Sequence, residues 1–187
     1  MKIKNLLTRP ILFGLLSLLL LPLSSCKEHG WVDWKTQNEI WLENNKTKSG
    51  VKVTESGLQY WIEADPMASS HDARPNTTST IICDYDLYLI NGFFGEYNPA
   101  NKALNSGRNV SLTLSSTIPG FSEGCHKIHN QGDIWLYIPA YLGYDSDKYD
   151  EDKYDEAEGN GTEGTSSYIP PYSTLIYRVH ISSIVGN

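Results

Sequence analysis

The chain is 187 residues long, 40% hydrophobic and 20% charged, with a formal net charge of −7 at neutral pH. That acidic balance argues against nucleic acid as a partner, because holding a phosphate backbone rests on clustered basic side chains. The length suits one compact domain with a flanking segment, and no shift of composition marks a second domain.

Lys2, Lys4 and Arg9 precede an apolar run from Ile11 to Leu23. The run is shorter than the roughly 20 residues a bilayer span needs, so it reads as a signal peptide. It ends in Leu23-Ser24-Ser25-Cys26, an apolar residue, two small residues and a cysteine. This is similar to the lipobox of bacterial lipoproteins. Residues 1–25 are therefore expected to be removed and Cys26 to be acylated. The anchored chain would face an extracytoplasmic space, with the outer membrane, on its periplasmic or surface side, as the expected anchor. Removal takes three basic residues and no acidic ones, leaving 12 basic against 22 acidic, a formal −10 over residues 26–187.

Residues 26–56 are expected to form an anchored arm. Between Asp33 and Thr47, residues Trp34, Asn38, Trp41, Leu42 and Asn45 recur at three and four, with Trp31 one turn earlier. That spacing predicts a helix with an aromatic stripe, stopped by Gly50. The stripe is expected to pack on the chain's own domain, with the membrane interface, where Trp is favoured, as the alternative.

After Gly57 the period becomes two. Ile81, Cys83, Tyr85, Leu87 and Leu89 form one apolar face opposite Asp84 and Asp86. Ile134, Leu136 and Ile138 alternate with Asp133, Trp135 and Tyr137, and Leu175, Tyr177, Val179 and Ile181 alternate with Ile176, Arg178 and His180. These are half-buried antiparallel strands. One short helix is predicted over Ser122–Asn130, stopped at Gln131-Gly132, and it needs a sheet to lie on.

Gly120-Phe121-Ser122-Glu123-Gly124 fits the Gly-x-Ser-x-Gly nucleophile elbow, with His126, His129 and His180 downstream as bases. A serine hydrolase of that type needs strands and helices alternating around a parallel sheet, which this chain does not offer. The glycines have a simpler reading: Gly120 turns the chain after Pro119, and Gly124 lets the helix approach the sheet. No dinucleotide or phosphate-binding glycine pattern and no His-Glu-x-x-His occurs, and His126, His129 and Cys125 do not complete a zinc site. No metal and no cofactor is expected.

Three blocks in order carry a family resemblance: Leu112 to Gly124 with Ile118-Pro119-Gly120-Phe121, then Ile138-Pro139-Ala140-Tyr141-Leu142-Gly143-Tyr144, then Tyr168-Ile169-Pro170-Pro171 leading to Tyr177. Together they resemble the signature of the FKBP-type peptidyl-prolyl isomerases, over about Gly57 to Ile184. The resemblance implies an α+β fold, an antiparallel β-sheet wrapped around one short α-helix, here with an N-terminal helical arm. Residues 57–187 would be the isomerase domain. It also implies that Tyr85, Phe94, Ile118, Phe121 and Tyr144 carry catalysis. Tyr85 is the sheet wall, Phe94 the aromatic after Asn91-Gly92, and Phe121 the pocket floor. The Ile118 N–H would take the substrate carbonyl, and Tyr144 would supply a hydroxyl donor. Val110, Thr117, Tyr168, Ile169 and Tyr177 would bind substrate around them. Cys83 and Cys125 fall on core-facing places. Two small buried residues is the favoured reading of them, and a bridge the alternative.

The chain departs from the family in two places. The family's Phe-Asp pair reads Phe94-Gly95-Glu96, so the pocket carboxylate is absent or displaced by one residue, and Gly95→Asp is expected to raise activity. The loop from 145 to 167 is longer than the family's and repeats Asp147-Lys-Tyr-Asp-Glu151 as Asp152-Lys-Tyr-Asp-Glu156. It holds nine acidic residues against Lys148 and Lys153, so it is expected to be a solvated loop. Ca²⁺ on Asp145, Asp147 and Asp150 lacks the EF-hand spacing. The expected function is prolyl isomerisation in proline-containing polypeptide clients outside the cytoplasm. The alternative is a catalytically weak module that holds a protein partner through the cleft or the acidic loop.

Overall fold

The computed structural model describes residues 32–69, 74–144, 160 and 166–185. Cys26, Trp31 and the acidic repeat, with Asp145, Asp147 and Asp150, lie outside the described residues.

The three period-two segments become β3 (Thr80–Tyr88), β5 (Asp133–Ile138) and β6 (Leu175–Val185), and β1 (Lys52–Val53), β2 (Gln59–Ala64) and β4 (Asn105–Thr113) join them without having been predicted. They form one sheet in the order β1-β2-β5-β6-β3-β4, with every neighbouring pair antiparallel. Alternation decides which side chain faces where. Ile81, Cys83 and Leu87 of β3, Ile134, Leu136 and Ile138 of β5, and Leu175, Tyr177, Val179 and Ile181 of β6 share one buried front-face core. Each fully buried aliphatic side chain there contributes about 1.5–3 kcal/mol relative to exposure.

Helix α2 (Pro119–Cys125) covers the front face. It starts earlier and stops sooner than the predicted Ser122–Asn130. Pro119 suits the first turn, where its missing N–H would have had no partner, and the chain turns away before Gln131, which has φ 62. A Cβ on Gly124 would stand 2.3 Å from Leu136 Cδ2, and one on Gly120 would stand 2.4 Å from Ile138 Cγ2. Both glycines therefore bring the helix onto β5. Gly120 lies inside the helix rather than at a turn.

Helix α1 (Val32–Asn45) packs on the other face of the sheet. Trp41 and Leu42 join Phe93, Trp135, Tyr137 and Ile176 there, with Trp41 ring centroids 6.0 Å from Phe93 and 5.7 Å from Tyr137. Polar anchors fix the helix lengthwise. Asn45 Nδ2 donates to Gln59 Oε1 at 3.0 Å, and Gln59 Nε2 donates to the Leu42 carbonyl at 3.0 Å. The predicted stripe thus faces the chain's own domain: Trp41, Leu42 and Asn45 meet the sheet, and Trp34 and Asn38 reach Ser173 and Thr174 just before β6.

Candidate functional site

Where α2 meets the sheet, a hollow of about 210 Å³ opens to solvent. Strand β3 supplies Tyr85, β4 supplies Leu112, and β6 supplies Tyr177. The segment Ser116-Thr117-Ile118, Phe121 of α2, and Tyr144 close it. The walls are aromatic and interlocked: Phe121 and Tyr177 have centroids 5.2 Å apart at 74°, and Tyr85 and Tyr177 are 5.9 Å apart at 61°. Phe121 and Tyr177 are buried, whereas Tyr144 is 43% exposed at the mouth.

The rim before α2 is held locally. The Thr117 hydroxyl and N–H both donate to the Leu114 carbonyl, at 2.8 and 3.1 Å, closing a short 3-10 turn over Leu114–Ser116. Ile118 is then extended, with φ −61 and ψ 148, and its carbonyl accepts the N–H groups of Phe121 and Ser122 at 3.1 Å each. Among the described residues no acceptor takes the Ile118 N–H itself.

Among the described residues, no side chain lining the hollow is a carboxylate, an amine or an imidazole. Burial pushes the Tyr177 hydroxyl well above the usual tyrosine range, helped by the neighbouring Tyr144, which hydrogen-bonds to it. Burial also raises Tyr85, with Tyr144 adding to the effect. Both hydroxyls stay protonated at neutral pH, so the site is apolar and uncharged with neutral donors.

Of the residues singled out by resemblance, Tyr85, Thr117, Ile118, Phe121, Tyr144 and Tyr177 come together here. Val110 is half-buried on β4 opposite Cys83 and is not among the lining residues. Ile169 is buried in the front-face core, and its backbone pairs with Asn160, while Tyr168 beside it is half-buried. Phe94 is placed elsewhere: it is 60% exposed and outside the hollow. The reason is local. Asn101 accepts the Phe94 N–H through Oδ1 at 2.7 Å and donates from Nδ2 to the Gly95 carbonyl at 2.9 Å, and the turn so formed leaves Phe93 as the buried member of the pair. Gly95 has φ +119, and a Cβ there would meet nothing within 4 Å. An aspartate at this position would therefore be strained and would project into open space, so the expectation that Gly95→Asp restores a pocket carboxylate is corrected. The displaced carboxylate, Glu96, accepts from the Tyr137 hydroxyl on the opposite face of the sheet.

Leu112 and Ser116 line the hollow without having been singled out. Gly107 was also missed: a Cβ there would lie 2.4 Å from Tyr85 Cε1, so its bareness makes room for the Tyr85 ring. Alternation along β4 could have found Leu112, but the register break opposite Tyr85 hides Gly107 from the sequence.

The Ser122 elbow does not hold a hydrolase. The sheet is antiparallel throughout, and among the described residues no hydrogen bond joins the Ser122 hydroxyl to a histidine, although His129 and His180 each have an aspartate partner. Both cysteines are fully buried and unpaired.

Residues 71–182 match the family model described as FKBP-type peptidyl-prolyl cis-trans isomerase, and residues 29–62 match the domain amino terminal to that isomerase. The chain is 29% identical over 150 residues to a probable FKBP-type peptidyl-prolyl cis-trans isomerase, FkpA, of Neisseria meningitidis serogroup B, covering 80% of this chain and 46% of that protein. It is 28% identical over 151 residues to the outer membrane protein MIP of Legionella longbeachae, covering 80% and 54%. The crystal structure of FkpA from Escherichia coli superposes with a TM-score of 0.56 at 26% identity, covering 81% of this chain and 59% of that one. The chain spans about half the length of the curated relatives it matches. With the isomerase model matched over β3, β4, α2, β5, most of β6 and the hollow, the chain belongs to the FKBP-type peptidyl-prolyl cis-trans isomerase family.

Proposed function

We propose that this chain is an extracytoplasmic, lipid-anchored peptidyl-prolyl cis-trans isomerase that acts on proline-containing polypeptides. The observation that carries this reading is an uncharged aromatic hollow with a backbone N–H at Ile118 that has no acceptor among the described residues. An X-Pro amide resists rotation by about 18–20 kcal/mol because of resonance, and a twisted amide loses both the resonance and much of its polarity. A dry aromatic wall built from Tyr85, Phe121 and Tyr177 favours the twisted state over the planar, well-hydrated one. The prolyl ring sits against Phe121, the Ile118 N–H takes the carbonyl, and the Tyr144 hydroxyl donates at the open mouth. No nucleophile is needed, which agrees with a site that holds none. Uncatalysed X-Pro exchange takes tens of seconds, so even modest preferential binding of the twisted state speeds a folding client.

Membrane attachment through Cys26 rests on the lipobox and on the relative described as an outer membrane protein. In cells, Cys26→Ala should move the protein from the membrane fraction to the soluble one. A wild-type chain recovered as soluble protein cut elsewhere would refute the anchor.

The deciding experiment is a cis-to-trans assay on a short X-Pro peptide. Turnover by wild type that falls with Phe121→Leu supports the isomerase. The missing pocket carboxylate favours a second reading, a binding module, and peptide binding without turnover would select it.

A further inference from the structure

The five residues Pro170–Thr174 connect Tyr168 and the core residue Ile169 to the start of β6, and so to Tyr177 in the pocket wall. Their conformation is not one the local sequence favours. Tyr172 has φ 61, in the left-handed region that bulky side chains rarely enter, and is only 8% exposed. A residue held this way persists where surrounding contacts over-determine it.

Those contacts come from α1, more than 130 positions away in sequence. Trp34 Nε1 donates to Ser173 Oγ at 3.0 Å, and that hydroxyl donates on to the Pro170 carbonyl at 2.6 Å. The Thr174 N–H donates to Asn38 Oδ1 at 2.7 Å. Asn38 is 2% exposed, and its amide is oriented by donation from Nδ2 to the Trp34 carbonyl at 2.8 Å. Lys35 Nζ lies 5.4 Å from the centroid of the Tyr172 ring. One turn of helix thus grips three consecutive residues of the turn, two of them through hydrogen bonds.

We propose that Trp34 and Asn38 are positioning residues for prolyl isomerisation: α1 braces the turn at 170–174 and so fixes where β6 begins and, with it, the Tyr177 wall of the hollow. This rests on the reading of the hollow as the prolyl site. The amino-terminal helix is then part of the working site although none of its residues lines the hollow. Ile169 carries the brace outward, since its backbone exchanges two hydrogen bonds with Asn160, at 2.8 and 2.9 Å.

The test uses the whole chain with Trp34→Phe, which keeps an aromatic ring but removes the donor, and Asn38→Leu. For an X-Pro tetrapeptide we expect KM to rise three- to tenfold with kcat changed less than twofold, and the Thr174 amide to exchange faster while β3 amides do not. Ser173→Ala removes the Trp34 bond from its other end, and its effect should not add to that of Trp34→Phe. A lower unfolding midpoint with KM unchanged would overturn the brace and leave only a structural role. Peptide affinity is measured in parallel. Should wild type bind without turnover, the isomerase reading fails, and the same three- to tenfold change in Kd decides the brace. Should wild type neither bind nor turn over, there is no prolyl site to position and the brace falls with it.

Discussion

Three tyrosines converge on the hollow, and two of them, Tyr85 and Tyr177, are held neutral by burial. With no acid or imidazole among the described lining residues, this predicts an isomerisation rate that is flat between about pH 6 and 9, where neither Tyr85 nor Tyr177 ionises. A rate that follows a group titrating near neutrality would point to chemistry outside the hollow. In the proposed pose the exposed Tyr144 hydroxyl donates to the bound amide, so Tyr144→Phe removes one neutral hydrogen bond to substrate. A net value of about 0.5–1.5 kcal/mol for such a bond corresponds to a rate loss of roughly 2- to 10-fold in the peptide assay. Ser122→Ala should stay within experimental error of wild type, and its loss of activity would revive the nucleophile reading. Gly95→Asp, placed at φ +119, should cost about 1–2 kcal/mol of stability in denaturant titration and leave the rate no higher than wild type.

At the level of elements, the contact of α2 with β5 and the Glu63 network give separate tests. The 2.3 Å clash that a Cβ on Gly124 would make with Leu136 predicts that Gly124→Ala destabilises by about 1–3 kcal/mol, read from the urea midpoint. On the opposite face, Glu63 of β2 accepts from Arg178 Nε and Nη2 at 3.1 and 2.9 Å and from Trp135 Nε1 at 3.0 Å. Burial alone would raise its pKa, yet the bond from Arg178, assisted by Tyr97 and Trp135, brings it below the usual carboxylate range. A carboxylate depressed in the folded state stabilises the fold above its unfolded pKa, about 4.3, and loses that contribution as pH falls through the folded value. Glu63→Gln should therefore be less stable than wild type at pH 7, with the difference closing as pH drops below 4. A gap that persists unchanged to pH 3 would contradict this. Strands β3, β5 and β6 and helix α1 were legible because their apolar residues repeat at two or at three and four, whereas β1, β2 and β4 were not read from the sequence. The Glu63 network was not, because it joins strands distant in sequence, which only sheet order brings together. The split of Phe93 from Phe94 was equally hidden: two identical neighbours give no periodic signal, and the Asn101 side chain settles which one turns inward.

For the whole molecule, two layers on one sheet divide the labour: α2 and the front-face core form the hollow, and α1 seals the back and grips the turn beside the hollow. The family blocks made most of the hollow readable, because motifs such as Ile118-Pro119-Gly120-Phe121 fix several pocket residues within one short segment. The brace escaped because its two halves, Trp34-Asn38 and Ser173-Thr174, carry no common pattern. The same burial gives a test of how cooperatively the layers open. Cys83 and Cys125 lie in the front-face core at 0% exposure. Burial, with Asp84 nearby, raises the Cys83 thiol to about 11, and burial with Cys83 as neighbour raises Cys125 well above its usual value. Thiolate is the reactive form, so against an ordinary thiol value of 9.0 a rise to about 11 cuts the reactive fraction of Cys83 roughly a hundredfold even before access is considered. In a soluble Cys26→Ala chain, a thiol reagent should therefore label neither cysteine in the native state and both in urea. The slow native-state labelling that remains should rise in proportion to the unfolded population as stability is lowered by Gly124→Ala. Labelling of Cys125 well ahead of Cys83 would show instead that α2 lifts from the sheet alone, and the single-unit view of the fold would have to be given up.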